Sequence, residues 1–288
     1  MMHTILEPFQ FAFFRHGLIV ATLAGALCGM IGVYVVLRGM SYIGHGLSHA
    51  IFGGAAASSV ISFNYYLGAG IWGLASALMI SRVTRRRIIG SDAAIGVITT
   101  ASFALGLALF ATFGVAKKSI DAVLFGSILG VSTSDIWIIA AVTVGTAAVI
   151  FVCYRALLFT TFDPEVAEVS GVNTARVDAL LMLVLAASIL VTMKVIGVLL
   201  IAAMLVIPPT IARMLTNSFA NMLAISTTLG AVSGFVGMYL SYHLDISSGA
   251  SIVLVGSVIF AVVFACTGPR GLRRAAGLAA HTHDLKTA

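Results

Sequence analysis

Residues 17–54 read GLIVATLAGALCGMIGVYVVLRGMSYIGHGLSHAIFGG, and the rest of the chain is interpreted from this stretch outward. Residues 17–37 form an unbroken apolar run that is long enough to cross a hydrocarbon core of about 30 Å as a helix. The glycine-rich run that follows carries His45 and His49. Side chains at positions i and i+4 share one helix face, so the two imidazoles are predicted to be neighbours. Polar groups on a helix inside a membrane are candidates for a functional site.

The composition extends this interpretation to the whole chain. Of 288 residues, 60% are hydrophobic and only 9% are charged, which is more apolar surface than one soluble core can hide. The apolar runs are continuous, whereas the strands of a membrane barrel are alternating segments of about ten residues. Because backbone polar groups in lipid must be satisfied internally, helices are the expected structure. We therefore predict an all-α integral membrane protein.

Charge and cysteine usage exclude two other classes of protein. The net charge of +6 comes from Lys and Arg residues in short clusters between apolar runs, which is typical of topology signals, so no nucleic-acid partner is expected. The three cysteines lie far apart inside apolar runs and form no CxxC motif. The sequence therefore predicts neither a disulfide framework nor a thiolate metal site.

About nine membrane-spanning helices are predicted, with eight as the alternative count. The segments are 17–37, 42–62, 65–83, 93–114, 136–154, 179–196, 197–215, 223–242 and 252–266. The densest basic cluster, Arg82 to Arg87, should be cytoplasmic by the positive-inside rule, which places the C-terminus inside and the N-terminus outside. The sixth and seventh segments should then join on the outer side near Lys194.

The regions between and around these segments have expected roles of their own. Residues 1–16 mix phenylalanines with charged residues and are predicted to be an amphipathic segment at the membrane interface. Residues 121–131 are apolar but too short to span, which favours a short re-entrant helix. Residues 17–268 should form a single transmembrane domain, and residues 269–288 should form a cytoplasmic tail.

Three interpretations of His45 and His49 follow from the residues alone. The histidines could hydrogen-bond to neighbouring helices as packing groups. Their neutral imidazoles could instead bind a borderline metal such as zinc, and symmetry could double the number of ligands to four. The third interpretation is a membrane metalloprotease with an H-E-x-x-H helix, but Gly46 stands where that motif has its general-base Glu.

Two further motifs stand out. Pro208 and Pro209 break the backbone hydrogen bonding of a predicted span and favour a kink with a possible gating role. The longest polar stretch, FDPEVAEVSGVNTAR, starts at Phe162 and has acidic residues at a predicted helix start. It is either a solvated connector or a docking surface. The chain has no G-x-x-x-x-G-K-[ST], so it has no nucleotide site of that type, and any nucleotide energy must come from another subunit.

These residues resemble the manganese/zinc/iron permeases of the ATP-binding-cassette (ABC) importers over nearly the whole chain. The most specific pieces are RGMSYIGHGLSHAIFGG, FDPEVAEVSGV and VIGVLLIAAMLVIPPTIARMLT. The last two are also similar to parts of cobalamin and siderophore permeases, which keeps a metal-chelate permease as the alternative. An intramembrane metal-dependent hydrolase is a remote alternative.

The resemblance implies a permease subunit, not an enzyme, in a bacterial-type cytoplasmic membrane. It implies a homodimer, two cytoplasmic ATPase subunits that bind the ATP, and an extracytoplasmic metal-binding protein that delivers the transported divalent metal. No tightly bound cofactor is expected. Residues 163–171 would be the helix that couples to the ATPase, with these contributing residues: Asp163, Pro164, Glu165, Val166, Glu168 and Gly171.

The family motif usually reads Gly-Asp-x-Leu-Ser-His-Ala, and this sequence departs from it at one position. His49 and Ser48 match the motif, as a metal ligand and a residue beside the pathway, but His45 stands where the Asp is expected. Replacing a carboxylate by an imidazole favours zinc or iron over manganese on ligand softness.

Overall fold

The computed structural model describes residues 7–85, 90–113, 125–126 and 131–284. After a short 3-10 helix, Glu7–Gln10, these ranges hold eleven α-helices. They are α1 (Ala12–Leu37), α2 (Ile43–Val60), α3 (Tyr65–Arg85), α4 (Ser91–Phe113), α5 (Thr133–Val152), α6 (Tyr154–Phe162), α7 (Pro164–Val169), α8 (Thr174–Ile196), α9 (Ile201–Leu215), α10 (Phe219–Leu244) and α11 (Ser248–Asp284). The prediction of an all-helical membrane protein is confirmed.

Seven helices in the described ranges are long and apolar enough to cross a membrane by length and composition alone: α1, α3, α4, α5, α8, α10 and α11. The two remaining predicted spans are also helical and form α2 and α9. Histidines and serines interrupt the apolar sequence of α2, and α9 has only 15 residues. The two weakest spans therefore carry the histidine pair and the proline pair.

Helix α1 is the centre of the bundle. In its most apolar window 72% of the residues are buried, against 17–44% in the other six candidate spans. Small residues let it approach α10 closely, since Gly25 lies against the backbone of Gly230 and Gly29 against that of Ser226. The Ser226 hydroxyl also donates a hydrogen bond of 2.6 Å to the Gly29 carbonyl. Close backbone approach of this kind is how helices gain packing energy in lipid, where burial of apolar side chains gives no advantage.

Helix α2 packs between α3 and α4 through its own small residues. Gly53 lies against the Ser102 carbonyl of α4, and Gly54 lies against Trp72 of α3. The Trp72 indole N–H donates to the Ser102 hydroxyl at 3.3 Å, which joins α3 to α4 behind α2. These contacts fix the position of α2 relative to α3 and α4.

The described part of the N-terminal segment packs against α10. Helix α1 begins at Ala12, five residues before the predicted start of the first span, and Phe14 is fully buried. The Phe14 ring contacts Tyr242 of α10 edge to face, and the Phe9 ring contacts Tyr239. Burial of these rings against α10 accounts for the early helix start. Residues 1–6 lie outside the described residues.

The connection between α8 and α9 lies at residues 197–200, next to its predicted position near Lys194. The residues around it are packed inside the protein, since Val195, Ile196 and Val198 are fully buried. Gly197 has a φ of 87°, so the chain turns sharply there before α9 begins. Such irregular backbone at membrane depth is tolerated only where protein covers it or where it lines a cavity. Here the Ser248 hydroxyl of α11 donates to the Val195 carbonyl at 2.9 Å and supplies one of the missing partners.

Two terminal or connecting regions are only partly described. Of the predicted re-entrant helix at 121–131, the described residues are 125–126 and 131; Gly126, with a φ of +78°, lies against the Val195 carbonyl. At the other end, α11 continues as a helix to Asp284, beyond the predicted domain end at 268. Alanine, leucine and arginine are strong helix formers and are frequent in this extension.

Candidate functional site

His45 and His49 meet on one face of α2, as their spacing predicted. Their Nε2 atoms are 3.0 Å apart, and the two rings are nearly perpendicular, with an interplanar angle of 75°. At this distance one imidazole donates a hydrogen bond to the other, so the two rings carry complementary tautomers. Both side chains are half-buried.

The separation of the two nitrogens suits a shared metal ion. Two imidazole nitrogens bound to one ion at about 2.1 Å are roughly 3.4 Å apart at a tetrahedral angle and about 3.0 Å apart at the right angle of an octahedron. The observed 3.0 Å lies close to both values. The distance between the two Nε2 atoms is therefore compatible with a shared ion.

The walls around the histidines come from several helices. The His49 ring contacts Phe103 of α4 at a centroid distance of 4.3 Å, and the His45 ring lies 5.6 Å from that of Tyr42. The His49 Nδ1 atom is buried and has no hydrogen-bond partner among the described residues. Within the part of the chain that is described, no cluster of three or more His, Cys, Asp or Glu side chains is close enough to hold a metal.

Ser48 connects this face to the broken backbone between α8 and α9. Its fully buried hydroxyl lies 2.9 Å from the Val198 carbonyl and 2.8 Å from the His45 carbonyl, and it can donate to either. The non-helical residues after α8 therefore lie at the same depth as the histidine pair. Unwound backbone beside a polar site near the bilayer interior is a common arrangement in transporters.

Gly46 excludes the arrangement of a metalloprotease helix. A Cβ atom at position 46 would lie 2.6 Å from the Cγ2 atom of Ile95 and 3.0 Å from the Oγ1 atom of Thr99. A glutamate in place of this glycine would therefore displace α4. The fold gives no room for a general base at the position where that motif needs one.

The predicted coupling segment forms the short helix α7 at one end of the bundle. The Asp163 carboxylate caps it by accepting a hydrogen bond of 3.0 Å from the Val166 backbone, and Pro164 occupies its first turn. The Glu168 carboxylate accepts a hydrogen bond from the Thr174 hydroxyl at 3.0 Å, which ties α7 to the start of α8. Gly171, with a φ of +83°, makes the turn between them.

The exposed surface of α7 combines two valines with two glutamates, Glu165 and Glu168. The Val166 side chain is 50% exposed and that of Val169 is 91% exposed, while Ala167 is buried beneath them. Glu165 is also exposed. The two exposed valines lie three residues apart on a capped helix and form a small apolar knob.

Pro208 and Pro209 lie buried inside α9, and they leave backbone carbonyls without helical donors. Pro209 frees the carbonyl of Leu205, and Gly32 of α1 lies directly against that oxygen. The absence of a side chain at Gly32 therefore lets α1 cover the broken turn. The kink and its role in gating remain predictions.

One polar cluster was not predicted from the sequence. The Arg38 guanidinium, at the end of α1, forms an ion pair of 2.7 Å with Asp178 of α8 and donates hydrogen bonds to Thr160 and Thr161 of α6. The interpretation of the sequence used Arg38 only as the start of the histidine stretch and began the sixth span one residue after Asp178. The sequence did offer a signal for this pair. Arg38 directly follows the first predicted span and Asp178 directly precedes the sixth, and the predicted topology puts both on the same side of the membrane.

Comparisons with known proteins agree with this architecture. Over 263 residues, the chain is 36% identical to the manganese transport system membrane protein MntC of Listeria monocytogenes, covering 91% of this chain and 94% of the relative. It is 38% identical to the manganese import system permease protein ScaB of Streptococcus parasanguinis, covering 88% and 91%. A Haemophilus influenzae protein named "Probable iron transport system membrane protein" is 32% identical, covering 94% and 96%.

Solved structures match as well. The structure of PsaBC from Streptococcus pneumoniae in complex with Fab superposes with a TM-score of 0.81 at 34% identity, covering 92% of this chain and 95% of that chain. An inward-facing metal-chelate type ABC transporter superposes with a TM-score of 0.72 at 16% identity, which shows a shared fold. The sequence profile of the ABC 3 transport family matches residues 10–267, and the resemblance inferred from the motifs is confirmed. The chain belongs to the ABC 3 transport family and is a transport permease.

Proposed function

We propose that this chain is the permease subunit of an ABC importer for a divalent transition metal ion, in which His45 and His49 contact the ion during its passage. The observation that carries the proposal is the 3.0 Å separation of the two Nε2 atoms, which fits a shared cation. Relatives named for manganese and for iron transport support the substrate class.

The proposed working unit is a homodimer. A first-row metal ion takes four to six ligands, and the histidine pair supplies only two. A two-fold axis near the exposed side of the pair would add the same two imidazoles from a second copy and complete a four-nitrogen site. The permease would therefore be incomplete as a single chain.

Partners outside the membrane follow from the same proposal. We assign α7 as the docking helix for a cytoplasmic ATPase subunit on each copy, because its exposed valines and capped first turn present a rigid apolar knob. That assignment places the protein in a bacterial-type cytoplasmic membrane with a cytoplasmic C-terminus. The other face would receive the ion from an extracytoplasmic binding protein.

The residue at position 45 and the names of the relatives favour different metals. An imidazole at position 45 favours zinc or iron over manganese, whereas several relatives are named for manganese. A metal-chelate substrate is the second candidate, and the observation favouring it is the shared fold with the metal-chelate type transporter.

The test is ATP-driven uptake by the purified complete transporter in liposomes, measured for zinc, manganese and iron and then with a siderophore or cobalamin as competitor. We expect uptake of free metal ions that the chelates do not inhibit. Uptake of a metal supplied as its chelate, without uptake of any free ion, would support the second candidate and contradict the first.

A further inference from the structure

Arg38 opens the histidine stretch, yet the transport proposal gives it no role. Its guanidinium makes three polar contacts: Nη1 with Asp178 at 2.7 Å, Nη2 with the Thr160 hydroxyl at 2.8 Å, and Nε with the Thr161 hydroxyl at 3.2 Å. Its side chain is only 10% exposed. A planar guanidinium with fixed donors holds several partners in one geometry, which a lysine ammonium does not.

The partners of Arg38 stand on both sides of α7. Thr160 and Thr161 lie in the last turn of α6, immediately before α7, and Asp178 lies in the second turn of α8, shortly after it. The bond from Thr174 to Glu168 ties α7 to α8. The Arg38 side chain therefore contacts the helix before α7 and the helix after it.

On its other side, Arg38 leads directly into the histidine helix. The turn from Arg38 to Ile43 is short and well bonded: the Met40 N–H donates to the Val35 carbonyl, and the Ile43 N–H donates to the Met40 carbonyl. Gly39 in this turn has a φ of +67°. A shift of the Arg38 guanidinium would thus be passed through five residues of tight turn to the first residue of α2.

The space beside this turn allows such a shift. A cavity of about 110 Å³ is lined by Arg38, Asp178 and Met40, by the first residue of α2, Ile43, and by Thr84 of α3. One residue further along, Gly44 packs against the Leu205 side chain with no room for a Cβ atom. The first residue of α2 therefore borders the cavity, whereas the next residue packs closely against α9.

We propose that Arg38 is a positioning residue that transmits movement of α7 to the histidine pair. It contacts neither the histidines nor the docking surface and acts through α2 on one side and through α6 and α8 on the other. The inference rests on the proposed function. A purely structural ion pair at the end of α1 would also explain the contacts, and the number of ions moved per ATP hydrolysed separates the two roles.

The test uses the complete transporter in liposomes, with metal uptake and ATP hydrolysis measured in the same vesicles. The main variant, Thr160→Val/Thr161→Val, removes the link to α6 and leaves the Arg38–Asp178 ion pair in place. Arg38→Lys is the second variant, because it keeps the positive charge but loses the planar guanidinium that donates to three partners. The matched control is Thr143→Val/Thr227→Val, since those hydroxyls donate to carbonyls of their own helices.

We expect both test variants to keep hydrolysing ATP and to melt near the wild-type temperature, while metal moved per ATP falls by about threefold to thirtyfold. The control should keep the wild-type ratio. A wild-type ratio in either test variant would overturn the inference, as would uptake and hydrolysis falling together in proportion. If the wild-type transporter moves none of the three metals, the proposed function itself fails, which is a different result from an unchanged ratio.

Discussion

His45 is the residue at which this chain departs from the pattern it otherwise resembles. An imidazole at this position places a nitrogen 3.0 Å from that of His49, where a carboxylate would place oxygen. Sequence alone predicted that the two histidines would be neighbours, because helical spacing fixes which side chains share a face. It could not give their separation, the contact with Phe103 or the bond from Ser48 to Val198, because those depend on helices that are distant in sequence.

At this scale we predict that His45→Asp changes metal preference. Restoring a hard oxygen ligand should raise manganese uptake relative to zinc uptake by about tenfold, because a carboxylate suits manganese better than an imidazole does. The measurement is uptake in liposomes from equal mixtures of the two ions. His243→Asp, on α10 beside Tyr239, is the control and should leave the ratio unchanged. An unchanged ratio in His45→Asp would show that position 45 does not contact the ion.

At the scale of helices, the sequence predicted the elements better than their boundaries. All nine predicted spans are helical because long apolar runs have few alternatives in lipid. The start of α1 and the buried turn after α8 were missed, since aromatic packing and cover by other helices decide them. The Arg38 cluster was missed for the same reason, because it joins the end of α1 to α6 and α8, which lie more than 120 residues further along the chain.

The contact between α1 and α10 gives a prediction about stability. A Cβ atom at position 230 would overlap the Gly25 carbonyl, so Gly230→Ala should push the two helices apart and destabilise the protein by roughly 1–3 kcal/mol or more. Gly145→Ala is the matched control, because nothing within 4 Å obstructs a Cβ atom there. Thermal unfolding in detergent should show a lower melting temperature for Gly230→Ala than for the wild type. Gly145→Ala should melt at the wild-type temperature. Equal melting temperatures would contradict the close packing.

The exposed face of α7 gives a prediction about coupling. Val166→Asp/Val169→Asp should abolish most stimulation of the ATPase and most uptake, because the apolar knob would carry two charges that no longer fit an apolar groove. The permease should remain folded, since both side chains are exposed. Val166→Leu/Val169→Leu, which keeps the surface apolar, is the control. Normal ATP-coupled uptake in the aspartate variant would show that the ATPase docks elsewhere.

At the scale of the whole molecule, the proposed transporter assigns the metal path and ATP binding to different subunits. In the proposed transporter, the membrane chain supplies a pair of imidazoles, a docking helix and an arginine between them, and its sequence has no P-loop motif for ATP. Composition and long apolar runs were enough to predict an all-helical membrane protein, and the family was inferred from the resemblance of three sequence motifs. Assembly could not be predicted from the helices themselves, because a lipid-facing surface and a subunit interface are both apolar.

The most direct test of the central claim is ATP-driven metal uptake by the complete transporter carrying His45→Ala/His49→Ala. We predict that uptake falls to about a tenth of the wild-type rate or less, because no imidazole remains to replace the ion's lost water ligands. Basal ATP hydrolysis and melting temperature should change little, and His243→Ala should transport normally. Uptake at the wild-type rate in the double variant would contradict the assignment of the histidine pair to the metal pathway.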